Sequence, residues 1–210
     1  DPYLSLHEGW AETTLAKNWS IKLGRQELNY DNFRFLGNLD WALQGRAHDF
    51  ALVKYEREKV KLHLGGGFNQ QEQRLTSTTY TQENQYKTAQ FVRYENQWNN
   101  TWHLSLLFWN DGRENTGKHY YTQTFGLPTL KFQKGNTTVS GYYYQQVGKT
   151  SQDLSRNAFN TSIQIKQVID FTAPPSEESE MKQSQKLQLV AGFELLSGTS
   201  STITTENNSF

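Results

Sequence analysis

Apolar and polar residues alternate one by one along most of this chain. In the segment 60–68, every even-numbered position is apolar or glycine, and the odd positions carry Lys61, His63, Gly65 and Gly67. The same period of two recurs in three further segments, 19–24, 102–109 and 187–195. Because successive side chains of a β-strand point to opposite faces, this pattern predicts strands with one apolar and one polar face.

Applied to the whole chain, the same criterion predicts an all-β protein of ten strands. The predicted strands cover residues 3–16, 19–30, 46–56, 59–69, 85–96, 101–110, 119–133, 137–148, 157–170 and 186–197. Many are longer than the roughly five or six residues typical of strands in globular proteins.

The connections between the predicted strands alternate in length. Short ones lie at 17–18, 56–58, 96–100 and 134–136, and longer polar ones lie between them, at 31–45, 70–84, 111–118 and 149–156. An antiparallel up-and-down sheet with short turns at one end and long loops at the other is typical of outer-membrane barrels. The acidic, proline-containing connection 171–185 is an exception, because it is long on the short-turn side.

Aromatic spacing gives a second indication of a membrane barrel. Three aromatic pairs each stand 11 or 12 residues apart: Trp19 and Tyr30, Tyr120 and Phe132, and Phe159 and Phe171. Twelve residues of a strand tilted by about 45° cover about 28 Å, close to the height of the apolar band between two aromatic girdles. We therefore predict that these pairs bracket membrane-spanning strands.

Composition narrows the function classes. Only 35% of residues are apolar while 14% are aromatic, and 21 basic residues balance 21 acidic ones. The balanced charge removes any bulk electrostatic case for a nucleic-acid partner. The absence of cysteine excludes disulfides and thiol nucleophiles, and no apolar run reaches the roughly 18 residues of a membrane helix.

Three segments carry a more specific signal. They are Leu23-Gly24-Arg25-Gln26-Glu27-Leu28, Arg34-Phe35-Leu36-Gly37-Asn38-Leu39-Asp40-Trp41 and Gly45-Arg46-Ala47-His48-Asp49-Phe50. Together they resemble the signature of the alginate-export family of outer-membrane barrels, in which a GRQ strand precedes an R-x-L-G-x-x-D-W loop and a strand that opens with R-x-x-D. The similarity extends through 86–96 and 126–130.

This resemblance implies a location, a fold and a function. The fold is a single transmembrane β-barrel of about eighteen strands. Residues 1–210 then form a partial barrel domain of ten strands, with no second domain and with two open sheet edges. The implied function is a passive channel in the bacterial outer membrane for an anionic polysaccharide or related solute, with lipid and that solute as partners and any periplasmic export partner unidentified. A general non-specific porin and a soluble glycan-binding β-protein remain as alternatives.

A channel of this kind needs charged side chains on its lumen face, where a narrow pore enriches ions of one sign. Alternation places six residues on the polar face: Lys22, Lys61, His63, Lys131, Lys166 and Glu194. We predict a basic lining of Lys22, Arg25, Arg34, Arg46 and Arg93, with Glu27, Asp40, Asp49 and Glu95 as acidic partners. Alternatively, these charges are structural ion pairs that hold an inward-folded loop.

The placement of Arg25 is a special case within this set. Alternation puts it on the same face as the apolar Leu23. Either a bulge intervenes or Arg25 lies beyond the apolar band.

An enzyme is the weaker interpretation. His103 and Ser105 stand two apart, as in the His-x-Ser of outer-membrane phospholipases, but the Asn-Gly that follows in that family is missing. The five histidines are scattered without metal-ligand spacing, so neither a metal nor another cofactor is predicted. The glycines at 65–67 precede no helix, so we predict that they make room for a long side chain from a partner strand or ease the curvature of the sheet.

Overall fold

The computed structural model describes residues 6–37, 46–69, 86–171, 185–202 and 205–210. Ten strands form its secondary structure: β1 (Gly9–Ala16), β2 (Trp19–Gln26), β3 (His48–Glu56), β4 (Val60–Phe68), β5 (Thr88–Trp98), β6 (Trp102–Asn115), β7 (Lys118–Lys134), β8 (Thr137–Lys149), β9 (Ser155–Asp170) and β10 (Lys186–Leu196). Each overlaps one predicted strand, so the all-β prediction is confirmed.

The strands pair in the order of the chain. They form one ten-stranded antiparallel sheet that runs from β1 to β10, and within the described residues no pairing joins these two edges. The predicted up-and-down sheet is therefore confirmed, and it is open rather than closed into a barrel. Of the connection 171–185, residues 172–184 lie outside the described residues.

One predicted loop is wrong. The sequence between 111 and 118 was expected to be a long connection, but β6 and β7 continue through it and are joined by Thr116 and Gly117 alone. Asp111 and Arg113 continue the alternation of β6, with Thr122 and Tyr120 of β7 as the residues opposite. Polar composition marked this segment as a loop, whereas its side-chain period was still that of a strand. Long and short connections therefore do not alternate strictly.

The sheet has two chemically different faces. We call the face that carries residues 27–37 the inner face and the opposite one the outer face. The six residues predicted on the polar face all lie on the inner face. Residues that stand directly opposite each other in paired strands share a face, and each of the six stands opposite residues of the inner face. The outer face exposes large apolar side chains, such as Leu64 at 41%, Phe125 at 51% and Phe193 at 63%.

The predicted aromatic brackets are wrong for two of the three pairs. β2 ends at Gln26, so Tyr30 lies in the connection after it and contacts the inner face. The strand β7 reverses its alternation at an irregularity between Leu127 and Leu130, which puts Tyr120 and Phe132 on opposite faces. Pro128 sits in that irregularity, where its missing N–H breaks the ladder.

The outer face does carry aromatic pairs at its short-turn end. Trp19 packs on Tyr55 with ring centroids 4.9 Å apart, and Trp102 packs on Phe132 at 4.8 Å. The third pair stays a prediction: Phe159 lies near the start of β9 on the outer face, and Phe171 directly follows the last residue of β9.

Candidate functional site

Residues 27–37, which we call the inner segment, lie across the inner face and touch strands far apart in the sheet. Its polar contacts are Tyr30 Oη to His63 Nδ1 of β4 at 2.7 Å, Asp31 to Arg93 of β5 at 2.8 Å, Asn32 Oδ1 to Tyr144 Oη of β8 at 3.0 Å, and Arg34 to Glu194 of β10 at 2.6 Å. The middle of the inner face is therefore filled by the chain itself. Arg34 holds this segment, which favours the structural interpretation of that residue.

A compact turn directs the inner segment onto the sheet. Asp31 and Phe33 both have φ of 57°, in the left-handed region. The backbone N–H of Phe33 donates to the Tyr30 carbonyl at 3.2 Å, and the N–H of Arg34 donates to Asn32 Oδ1 at 3.1 Å. These local bonds satisfy backbone groups that a strand would otherwise pair.

Buried side chains anchor the same segment. Leu28 and Leu36 are nearly inaccessible and join the apolar cluster of the inner face. Burial raises the pKa of Tyr30 well above its ordinary value, so its hydroxyl stays neutral in its hydrogen bond to His63.

Three aromatic rings form the surface on which the inner segment packs. Trp109 stacks on Phe50 and on Phe91, with centroids 5.8 Å apart in both pairs. A Cβ added at Gly65 would stand 2.3 Å from the Phe91 ring, and one added at Gly67 would stand 2.4 Å from the Phe50 ring. The prediction that these glycines make room for side chains of partner strands is confirmed.

The charge of Arg93 is balanced inside this packed region. It donates from Nε and Nη2 to both carboxylate oxygens of Asp31, at 3.0 and 2.8 Å, and from Nη2 to Glu95 at 2.7 Å. Glu95 also lies 3.7 Å from Lys61 Nζ and 3.3 Å from His103 Nε2. Because Arg93 is only 5% exposed, this cluster serves the packing of the inner segment.

Toward the short-turn end, the inner face is polar and more accessible. Glu12 accepts from Lys54 Nζ at 2.8 Å and from Ser20 Oγ at 2.7 Å. Lys22 places its ammonium 3.8 Å from the centroid of the Trp10 ring, within cation–π range.

At the long-loop end, a cavity of about 560 Å³ opens beside the inner segment. Four arginines line it: Arg25, Arg46, Arg113 and Arg156. We call it the arginine cavity. Residues Asp49 and Asp111, together with the rings of Tyr86 and Trp109, contribute to its wall.

The structure decides between the two interpretations of Arg25. The pairing of β2 with β3 shows no irregularity, so Arg25 lies opposite Asp49 just as Leu23 lies opposite Ala51. Arg25 therefore keeps outer-face parity and sits beyond the apolar rows, 3.6 Å from the Asp49 carboxylate.

The predicted lining residues do not form one site. Lys22, Arg93 and Glu95 lie on the inner face; Arg34 belongs to the inner segment; Arg25, Arg46 and Asp49 line the arginine cavity; Glu27 contacts His7 at 2.7 Å; and Asp40 lies outside the described residues.

Sequence reasoning missed Arg113 and Arg156, because both fell in segments interpreted as loops. A strict reading of alternation finds Arg113, which shares its parity with Trp109. Arg156 is the second residue of β9 and lies opposite Gly148. No pattern in the sequence assigns it to a strand.

The serine of the His-x-Ser pair lies in the interior. Ser105 is completely buried, and its Oγ has no hydrogen-bond partner in the described part of the chain. Over the same residues, no group of three or more His, Cys, Asp or Glu side chains is arranged to hold a metal ion.

Among the residues described, no helix has the length and apolar character needed to cross a membrane.

Comparison with known proteins adds no identity. No family model, no curated protein and no solved structure matches the chain.

Proposed function

We propose that this chain is part of a bacterial outer-membrane β-barrel that serves as a passive channel for an anionic saccharide or a related solute. Further strands, paired to the edges β1 and β10, would close the barrel. The observation that carries the proposal is the outer face, where apolar side chains are exposed on nearly every strand while the charged positions between the strand ends, such as Lys61 and Arg93, lie on the other face.

The extent of this apolar surface favours a lipid partner. Large apolar side chains between 40% and 63% exposed occur on the outer face from β2 to β10, among them Leu23, Val92, Leu106, Ile165 and Leu189. Soluble monomers rarely expose contiguous apolar patches of more than a few hundred Å². The aromatic pairs at the short-turn end, Trp19 with Tyr55 and Trp102 with Phe132, have the chemistry of an interfacial girdle.

The arginine cavity supports the anionic part of the proposal. It gathers four guanidinium groups and two aspartates at the long-loop end of the sheet. Guanidinium groups stay charged at all physiological pH values, so this end of the inner face attracts anions.

A pair of lysine substitutions tests the lipid contact in the complete barrel. Val92→Lys places a charge in the middle of the outer face, where lipid would make it cost about 2–4 kcal/mol. Gln97→Lys is the matched control, because Gln97 is exposed at the short-turn end. We expect V92K to lose most of its insertion into vesicles, measured by flotation, while Q97K inserts like the wild type. Equal insertion of both variants would contradict the contact of Val92 with lipid, and a wild type that stays out of the floating vesicles would favour the soluble glycan-binding alternative.

Planar-bilayer recordings separate the selective channel from a general porin. We expect an anion-selective reversal potential, and current block by uronate oligomers at concentrations where neutral sugars have no effect. Equal block by charged and neutral sugars would favour the non-specific porin.

A further inference from the structure

Short turns lie side by side at one end of the sheet and form a continuous edge. We call this edge the short-turn rim; it consists of residues 17–18, 57–59, 99–101 and 134–136. Backbone hydrogen bonds of 2.8 to 2.9 Å join each turn to its neighbour, from Glu56 N to Asn18 O, from Gln97 N to Lys59 O and from Gln133 N to Thr101 O. The side chains of the four turns are therefore held next to one another.

The short-turn rim carries exposed cations without acidic partners. They are Lys17, Arg57, Lys59 and Lys134. None of them has a carboxylate oxygen within 4.0 Å among the described residues. The acid within the rim is Glu58, which leaves a net charge of +3 (4 − 1). If Glu56 at the end of β3 is counted as well, although it contacts His63 at 3.0 Å, the net charge is still +2 (4 − 2).

Two of these cations lie at the border of the outer face. Arg57 exchanges backbone hydrogen bonds with Val60, at 2.8 and 3.3 Å, so the two residues stand opposite each other and share a face. Val60 has the parity of the outer-face residue Leu64. Lys134 is the last residue of β7 and shares its parity with Phe132. Both cations therefore point away from the inner face and its solute path.

Aromatic rings stand at the same level of the outer face. Trp19 follows Lys17 by two positions, and the exposed Trp98 and Trp102 flank the turn 99–101. Aromatic girdles mark the boundary between the apolar band and the headgroups, and lysine and arginine side chains reach from that boundary to the headgroup phosphates. The anion that this rim meets is therefore a lipid headgroup and not a solute in the interior.

We propose that the short-turn rim binds the headgroups of anionic phospholipids, with its four cations beside the phosphates and the neighbouring aromatic rings at the border of the acyl chains. This inference rests on the proposed function and deepens it, because it names the lipid that the barrel selects at one of its two ends.

Quenching of tryptophan fluorescence by brominated lipids tests the proposal in the complete barrel, because Trp19, Trp98 and Trp102 lie beside the rim. Brominated phosphatidylglycerol supplies an anionic headgroup and brominated phosphatidylcholine a zwitterionic one, so the two quenching curves give a relative affinity. We expect a preference of about fivefold or more for phosphatidylglycerol at low salt, because each cation near an anionic surface strengthens the attraction. About 0.5 M NaCl should remove most of this preference by screening.

A pair of double variants locates the preference on the molecule. Arg57→Gln with Lys134→Gln removes the two cations at the border of the outer face and should lower the preference by about threefold or more. Lys118→Gln with Lys149→Gln is the matched control, because it removes two exposed cations at the long-loop end. This control should keep the preference of the wild type.

Equal affinity for the two lipids, a preference that high salt leaves intact, or an equal loss in both double variants would overturn the proposal. Lys17→Gln with Lys59→Gln tests the same rim if the first double variant fails to insert. Flotation of the wild type with vesicles of phosphatidylcholine alone reports insertion without any anionic headgroup. A barrel that inserts there and shows no headgroup preference would keep the channel proposal and overturn this one, whereas a chain that stays out of all vesicles would overturn both.

Discussion

Arg93 and Arg156 are both arginines on sheet strands, yet their surroundings differ. Arg93 is buried in the packed middle of the inner face and forms three hydrogen bonds to two carboxylates. Arg156 lines the arginine cavity, and its Nε has no partner in the described residues. The same cation is therefore neutralised by acids in the packed middle, whereas at the long-loop end it has no acid partner among the described residues.

This contrast implies that removing Arg93 produces the largest loss of stability. Arg93→Leu leaves Asp31 and Glu95 without their guanidinium partner in a buried region, which costs about 3–5 kcal/mol when one member of a buried pair is removed. We expect urea unfolding to show a loss of this size. The exposed Arg57→Leu is the control and should change the free energy of unfolding by less than about 0.5 kcal/mol. Similar losses in both variants would mean that the Arg93 cluster is not structural.

Substitutions of two neighbouring glycines should change the stability of the packed middle by an intermediate amount. Gly65→Ala forces a methyl group into the Phe91 ring and the Leu52 side chain, and overpacking of this kind costs about 1–3 kcal/mol. Gly66→Ala is an ideal control, because its added Cβ meets only the Ala89 carbonyl oxygen, at 3.9 Å. Thermal unfolding should show a lower midpoint for G65A only. A G65A variant as stable as G66A would show that the side chains around Phe91 are loosely packed.

The strands and their faces were predictable because the code for them is local. In segments such as 60–68, the alternation of residue types alone assigns each side chain to one face, and the structure confirms these assignments. The inner segment could not be found in this way. Its contacts join residues 33 to 160 positions apart, the last being Arg34 to Glu194 (194 − 34), and no periodicity encodes such a meeting.

Errors in the candidate site have the same origin. Alternation does not tell whether a polar residue near a strand end belongs to the strand or to a loop. Arg113 and Arg156 were therefore left out of the predicted lining, although both face the arginine cavity. Arg34 was assigned to the lining, and its partner Glu194 was assigned to the polar face without any sign that the two would meet.

The contact of the inner segment with the last strand should produce the smallest effect. Arg34 and Glu194 lie 2.6 Å apart, but each side chain is 39% exposed. Ion pairs with this exposure contribute about 0.2–1 kcal/mol. A double-mutant cycle of Arg34→Ala and Glu194→Ala should return a coupling energy in this range, measured by urea unfolding. A coupling of zero would show that the inner segment is held without this pair, by its buried leucines and by the contacts of Tyr30, Asp31 and Asn32.

The reach of the inner segment also sets an order of events during folding. In an up-and-down sheet each strand can join its predecessor as soon as it is synthesised, so most of the sheet assembles from contacts close in sequence. Residues 27–37 are made early, yet their partners Tyr144 and Glu194 emerge about 110 and 160 residues later. Completion of these contacts must therefore wait for the hairpin of β9 and β10, and a sheet formed earlier has an unfilled hollow until Glu194 arrives.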